Sequence, residues 1–358
     1  MSRFLLLDVG AGTLDILYYD SEKALAYKAV VRSPVLCAAE QAQKISGDLL
    51  VTGQEMGGGA LLDVLSSHAQ KSRVILSASA AMTLSHNPER LRKAGLGIVD
   101  DLEAQNYARR ENFASLDLCD LPRERIENIV AGFGVPFQFD IVGVCAQDHG
   151  VCPEGKSHLD FRHEIMKSAL DKAPFPETLL YEEKNIPAYL NRLRSAAAAA
   201  ENLPCREVYA MDSGMAAILG ASMDFQLKSL SRFVVLDIAT SHTVCATIEE
   251  GEIAGIVEYH TRDLSLEKLE SLIIELAQGR LVHRQVLAEG GHGAYLRKAP
   301  GFDAIQRIVA TGPKRSLVKN SKLPIVYGAP LGDNMMTGTT GLLEAIRRRK
   351  GLEFCLYL

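Results

Sequence analysis

The chain has 358 residues, 47% of them hydrophobic and 23% charged, enough for two ordinary domains with sizeable cores. Its 39 Lys and Arg against 44 Asp and Glu leave a net charge of −5, which removes any electrostatic case for nucleic acid or an acidic membrane surface as a partner. No apolar stretch nears the roughly 20 residues that span a bilayer, and an acid stands as early as Asp8, unlike a signal peptide; the seven cysteines lack CxxC spacing and predict reduced thiols in a cytoplasmic protein.

Arg3 to Asp20 reads as a β-hairpin: an apolar run ends in Asp8, crosses Gly10-Ala11-Gly12-Thr13 and resumes as Leu14 to Tyr19. Glycines let the backbone turn sharply with its N–H groups uncovered, and Thr13 adds a hydroxyl, so the tip suits phosphate oxygens. Asp8 would meet a phosphate only through a metal ion, which makes the tip a candidate Mg-nucleotide site. A dinucleotide-binding turn is the rival. Asp15, however, stands where its third glycine belongs, and strand formers follow the turn where a helix is required.

Leu25 to Val31 is a third strand, and Val35 to Ile45 has helical spacing. Residues 49–135 alternate short strands, Leu49 to Thr52 and Arg73 to Leu76, with helices and polar stretches, and read as an insertion; Gly57-Gly58-Gly59 within it stands open between a ligand contact and the commoner plain turn. Phe139 to Ala146 returns to a buried strand, followed by Gln147, Asp148 and His149 and a helix over Leu159 to Leu170. Ile186 to Ala200 is helical, Glu207 to Met211 is a strand ending at Asp212, and Gly214 to Ala221 is a small-residue helix.

Then the opening recurs. Arg232 to Ile238 carries Asp237, the turn Ala239-Thr240-Ser241-His242-Thr243 follows, and Val244 to Ile248 and Glu252 to Tyr259 complete a second three-strand unit. Leu264 to Ala277 is an amphipathic helix, and strands at Arg307 to Ala310 and Pro324 to Tyr327 lead through glycine loops to a last helix, Met335 to Arg349. Its basic end, Arg347 to Lys350, complements the helix dipole. The order β-β-β-α-β-α-β-α thus appears twice. It predicts a duplicated α/β domain, residues 1–225 and 226–358, with both aspartate-tipped hairpins facing one cleft.

This pattern resembles the actin, sugar-kinase and heat-shock-chaperone ATPase superfamily, with its two RNase H-like domains around a nucleotide. Asp8 to Thr13 is similar to its first phosphate loop and Asp237 to Thr243 to its second. Ala210-Met211-Asp212-Ser213-Gly214 resembles the first connecting segment, Ile308 to Pro313 the adenosine loop, and Gly328 to Gly341 the closing connection. Within the superfamily, Gln147-Asp148-His149-Gly150, Glu258-Tyr259-His260-Thr261, Gly290-Gly291-His292-Gly293 and Gly332-Asp333-Asn334 look most like a prokaryotic family labelled as a pyruvate formate-lyase activating protein. That label implies radical chemistry on a cysteine-bound cluster, for which the sequence lacks the closely spaced cysteines.

The resemblance implies ATP and Mg2+ as cofactors. Asp8 and Asp237 would hold the metal through water, and the N–H groups of Gly10, Ala11, Gly12 and Thr13 and of Ala239, Thr240, Ser241, His242 and Thr243 would grip the β- and γ-phosphates. Gly312, Pro313 and Gly328 would lie at the adenosine. Asp212 matches the acid that orients the attacking water, and Gln147 or Asp148 would be a second polar group there. Two departures bear on turnover rather than binding: Ala239 replaces a glycine, and no lysine matches the chaperone branch's phosphate-binding lysine.

The leading expectation is an ATP-binding ATPase or small-molecule kinase that closes on the nucleotide and on a small-molecule or protein partner. A regulatory or scaffold protein that binds nucleotide without turnover is one alternative. A P-loop NTPase is another, since Gly150 to Ser157 fits G-x-x-x-x-G-K-[ST], although Pro153 removes an N–H and Glu154 puts negative charge in the cradle. Cys145, Asp148, His149, Cys152, His158 and His163 fall close together but match no zinc spacing, so no transition metal is expected. His149, His242, His260 and His292 stand open between substrate contacts and hydrogen-bonded loop residues.

Overall fold

The computed structural model describes residues 2–109 and 112–353. Six cysteines are free thiols. Cys355 and the other last residues of the expected second domain lie outside the described residues.

The first half opens with an antiparallel meander, β1 (Arg3–Val9), β2 (Thr13–Asp20) and β3 (Leu25–Arg32). A smaller unit follows: α1 (Pro34–Lys44), β4 (Asp48–Gly53), α2 (Leu61–Ala69), β5 (Val74–Ser77), α3 (Ala78–Leu84), α4 (Pro88–Lys93), β6 (Gly97–Val99), α5 (Asp101–Ala108) and β7 (Phe113–Leu118). Its strands form a parallel sheet ordered β6-β5-β4-β7. The chain returns through α6 (Arg123–Gly132) to β8 (Ile141–Ala146), α7 (His158–Leu170), β9 (Leu180–Glu182), α8 (Asn191–Glu201), β10 (Glu207–Asp212) and α9 (Ser213–Ser222). The large sheet so made is ordered β3-β2-β1-β8-β10-β9.

The second half repeats the meander as β11 (Arg232–Ile238), β12 (His242–Glu249) and β13 (Glu252–His260). It continues through α10 (Leu266–Ala277), α11 (His283–Ala288), β14 (Gly293–Leu296), β15 (Arg307–Thr311) and β16 (Ile325–Tyr327), and ends in α12 (Thr337–Lys350). Its sheet is ordered β14-β13-β12-β11-β15-β16. Laid on one another, β1, β2, β3, β8 and β10 match β11, β12, β13, β15 and β16 in order and in the sense of every pairing. Each sheet adds one antiparallel edge strand, β9 beside β10 and β14 beside β13. This is the duplicated RNase H-like plan of the actin-like ATPases.

Two elements sit differently from their sequence pattern. Spacing alone assigns α1 to the large sheet and α6 to the insertion, but Val35, Ala38, Ala39 and Ala42 of α1 share a core with Leu49, Leu76 and Leu118 of the small sheet. Ile126 and Val130 of α6 pack instead with Leu5, Leu7 and Val142 of the large one. The helix expected from Ile186 starts at Asn191, and Ile186 itself is extended, as the residue before Pro187 prefers to be. No described helix is long and apolar enough to cross a membrane.

Strand alternation decides where the aspartates point. In β1, Phe4 and Leu6 enter a core shared by both halves, whereas Leu5, Leu7 and Val9 pack on the outer side. In β11, Phe233 and Val235 enter the same shared core, and Val234, Leu236 and Ile238 pack outside. Asp8 and Asp237 are in step with the inner sets, so both project between the halves. Helices α9 and α12 fill that space and touch backbone to backbone at Gly220 and Gly341.

Candidate functional site

The two hairpin turns close in the same way. The Gly10 N–H donates to Thr13 O at 3.0 Å, and the Ala239 N–H to His242 O at 3.1 Å. Each turn is braced by the residue that follows the third strand of its meander. The Ser33 hydroxyl donates to Gly10 O and its N–H to Gly12 O, while the Thr261 hydroxyl donates to Ala239 O and its N–H to Ser241 O. Sequence reasoning missed these braces; the only signal is a hydroxyl residue at the same place in each repeat. The tips meet, for a Cβ on Gly12 would lie 2.9 Å from Thr240 Oγ1. Gly10 and Ala239 spend their N–H groups inside the turns, which removes them from the donors open to a phosphate.

Asp8 stands opposite Asp15 in the β1–β2 register. Asp15, which entered the sequence argument only as a missing glycine, is in step with Leu17 and Tyr19 on the inner face. Burial pushes the Asp8 carboxyl up to about 7, with the Cys145 hydrogen bond opposing and Asp237 adding to the rise. Burial and then Asp8 push Asp15 up to about 8, and burial pushes Asp237 up to about 6 against a 2.8 Å bond from the Thr311 hydroxyl. Asp15 Oδ1 is buried without a hydrogen-bond partner. Carboxylates gathered with so little positive charge fit a hard divalent cation such as Mg2+. Helix α12 begins beside them, so close that a Cβ on Gly338 would overlap Asp8 Oδ2.

The other expected residues divide into those at the cleft and those tied to the scaffold. Asp212 caps α9 through the Met215 N–H at 3.1 Å and accepts from Arg162 Nη1 at 2.7 Å. Asp148 accepts from the N–H groups of Gly150 and Leu193, at 2.8 and 3.0 Å. Gln147 reaches the cleft, where its Nε2 donates to Glu258. Gly312 and Pro313 also line it, with Gly312 at φ +86° and in close contact with Ile238 O. Gly328 is held away, its N–H donating to Ala310 O and its Cα against Val309. Gly150 to Ser157 borders the cleft as a strap; Lys156 pairs with Glu164, and Ser157 caps α7.

Glu258 on β13 ties the halves together. It accepts from Gln147 and from Arg162 Nη2, the latter at 3.4 Å, and Arg162 is shared with Asp212. Burial would raise the Glu258 carboxyl, but Arg162, His292 and His242 hold it well below the usual carboxylate range. Burial pushes His242 down to about 3 and His149 well below its ordinary value, so both rings are neutral at pH 7. Of the residues grouped by sequence around Cys145 and His163, none converge on a metal position. Among the described residues the His, Cys, Asp or Glu side chains that do so are His242, His260 and His292.

Both hairpin tips, the three aspartates, Glu258 and the start of α12 line one cavity of about 1140 Å³. That exceeds the usual range for a single small ligand, roughly 300–1,000 Å³.

No curated protein matches the sequence. Solved structures that resemble it include ethanolamine utilization protein EutJ from Carboxydothermus hydrogenoformans, at 10% identity and TM-score 0.33 over 95% of this chain and 88% of that one. The inorganic polyphosphate/ATP-glucomannokinase from Arthrobacter sp. strain KM has 12% identity and TM-score 0.38, over 97% and 100%. The AlfA filament from a B. subtilis plasmid has 12% identity and TM-score 0.39, over 96% and 98%. A family model described as "Putative pyruvate format-lyase activating enzyme (DUF1786)" matches residues 56–317, and the chain belongs to that family.

Proposed function

We propose that the chain binds Mg-ATP between its halves and either hydrolyses it or transfers its terminal phosphate to a small molecule, with closure of the halves on the nucleotide. One observation carries this: two aspartate-tipped turns of the same geometry meet tip to tip over one cavity. Asp8 and Asp237 would hold Mg2+ through water, with Asp15 beside them. The ion would supply charge neutralisation at the phosphates. The N–H groups of residues 11–13 and 240–241 would orient the β- and γ-phosphates, and Gly312 and Pro313 would flank the adenosine. Turnover would rest on positioning and preorganised charge rather than on a covalent intermediate.

Calorimetric titration with Mg-ATP tests the assignment. Lys156→Ala is expected to bind like wild type, whereas Asp8→Asn loses binding; the reverse result moves the site to Gly150 to Ser157, and no binding by wild type overturns both. The braces give a subtler check. Ser33→Ala removes one part-buried hydroxyl-to-carbonyl bond, and Thr261→Ala removes the like bond together with a 3.0 Å contact to the Thr243 hydroxyl, so each is expected to lower stability by only about 1 kcal/mol while loosening its turn enough to weaken Mg-ATP about fivefold.

A nucleotide sensor without turnover is the second reading. It is favoured by the engagement of Asp212 with Arg162 and the α9 cap, which occupies the carboxylate expected to orient the attacking water. Phosphate release that falls in Asp212→Asn with Mg-ATP affinity intact would assign Asp212 the water-orienting role. Tight binding with no release by wild type would favour the sensor.

A further inference from the structure

We infer that the second half carries a transition-metal site of its own, in which His242, His260 and His292 bind one divalent ion of the zinc class beside the nucleotide cleft. The three side chains come from adjoining strand tips. His242 opens β12 and is paired directly with His260 at the end of β13, while His292 immediately precedes β14 and donates its N–H to Glu258 O. Their candidate ligand atoms all lie within 4.8 Å of one another, and the Nε2 atoms of His260 and His292 are 3.2 Å apart. Nitrogens on a tetrahedral zinc, with bonds near 2.0–2.1 Å, stand roughly 3.3 Å apart, so one pair already has ligand spacing.

As a purely structural cluster this arrangement is poorly satisfied. His242 Nε2 is buried with no hydrogen-bond partner, at a cost that a shared cation would remove. His292 Nδ1 is likewise buried without a hydrogen-bond partner, and Glu258 Oε1 stands behind it at 3.7 Å, near enough to become the carboxylate partner of a metal-bound ring. Arg162 sits between Asp212 and Glu258, so the ionised groups behind the rings sum to one negative charge, which favours a cation there. Three imidazoles leave a coordination position open, as in zinc sites that bind water or a substrate oxygen. His242 lines the cavity, which places the cluster at the border of the cleft. The first half has Thr13 and Arg32 where the second has His242 and His260, so the site is not a by-product of duplication.

This site contradicts the expectation of no transition metal, and it stands apart from the nucleotide reading. The full chain, stripped with chelator, is titrated with Zn2+ and with Co2+ as a visible reporter, in an Asp8→Asn background that weakens the carboxylate site. One equivalent is expected to bind, with cobalt ligand-field bands and a rise in melting temperature. His260→Ala and His292→Ala should each lower affinity by about 100-fold or more, and Glu258→Gln by roughly 10- to 100-fold. Because the titration of the intact histidine set needs no histidine variant, misfolding of one cannot mask the result. Absence of a bound equivalent there, or wild-type affinity in both histidine variants, overturns the site. Failure of the wild-type chain to bind Mg-ATP, with zinc still bound, would count against the nucleotide reading only.

Discussion

Asp8→Asn is expected to raise the melting temperature of the cation-free protein while lowering its affinity for Mg-ATP by roughly 100-fold, the equivalent of about 3 kcal/mol. The opposed signs have one cause. Asp8, Asp15 and Asp237 are gathered on the inner faces of their strands, and burial first, then mutual repulsion for Asp8 and Asp15, raises their carboxyls to about 7, about 8 and about 6. Folded, these groups keep protons that the unfolded chain, with ordinary carboxyls near ~4, has released. The stability these three groups contribute to the cation-free protein therefore grows as pH falls from about 8 towards that ordinary range, and is lost again as pH rises through the folded values. His149, His158, His163, His242 and His260, held below their ordinary value by burial, act in the opposite sense as the unfolded chain takes up protons near pH ~6.5.

A divalent cation binds the ionised forms, so its dependence runs the other way. Mg-ATP affinity is expected to climb with pH, by about tenfold per unit for each proton displaced, and to level off above about 8. Asp15→Asn should stabilise the cation-free protein by on the order of 2 kcal/mol, because Asp15 Oδ1 has no partner to lose. Melting curves with chelator and with Mg-ATP at about pH 6 and about pH 8.5 measure both slopes. The buried histidines oppose this slope equally in both proteins, so the test is the difference between wild type and Asp15→Asn: a difference that does not change on this acidification would show that the carboxylates are not gathered as described.

The duplicated plan was legible because it rests on period-two burial. Phe4, Leu6 and Asp8, and Phe233, Val235 and Asp237, repeat the same alternation around the same turn, and alternation survives in the sequence even where the turns have diverged. Three things were hidden for different physical reasons. The braces Ser33 and Thr261 act across a fold, from the end of the third strand back to the first turn, and nothing local marks them. Helix α1 has an apolar face that fits either sheet, and only the tertiary packing chooses. The trio His242, His260 and His292 spans fifty residues of sequence, whereas Cys145, His149, His158 and His163, being near in sequence, drew attention yet do not converge their ligand atoms, even though the His149 ring stacks on His158.

The scaffold that aims the aspartates is held at one point, and the second large effect is expected there. A Cβ on Gly341 would overlap Ala216 O and lie 2.6 Å from Gly220 N, and a Cβ on Gly220 would overlap Thr337 O and lie 2.9 Å from Gly341 N. These are backbone atoms of packed helices and cannot swing aside, so either substitution must part α9 from α12. The parting would open the core around Ile218, Leu219, Leu342 and Ile346, all of them buried. Alanine's helix preference returns at most about 1 kcal/mol. Overpacking of this kind costs about 1–3 kcal/mol, and for valine, with its branched and stiffer side chain, the upper end or beyond. Gly341→Val is therefore expected to lower stability by about 3 kcal/mol or more, and Gly341→Ala by less. Since α12 reaches Asp8 at Gly338, three residues before the crossing, the same shift should carry Asp8 out of place and weaken Mg-ATP binding in step with the loss of stability. Gly132→Ala, at the end of α6 with nothing within 4 Å, is the control and should leave both unchanged. Melting and calorimetry on these variants separate the crossing from the loops: at Gly341 binding falls with a large loss of stability, whereas at Ser33 it falls with a loss of only about 1 kcal/mol.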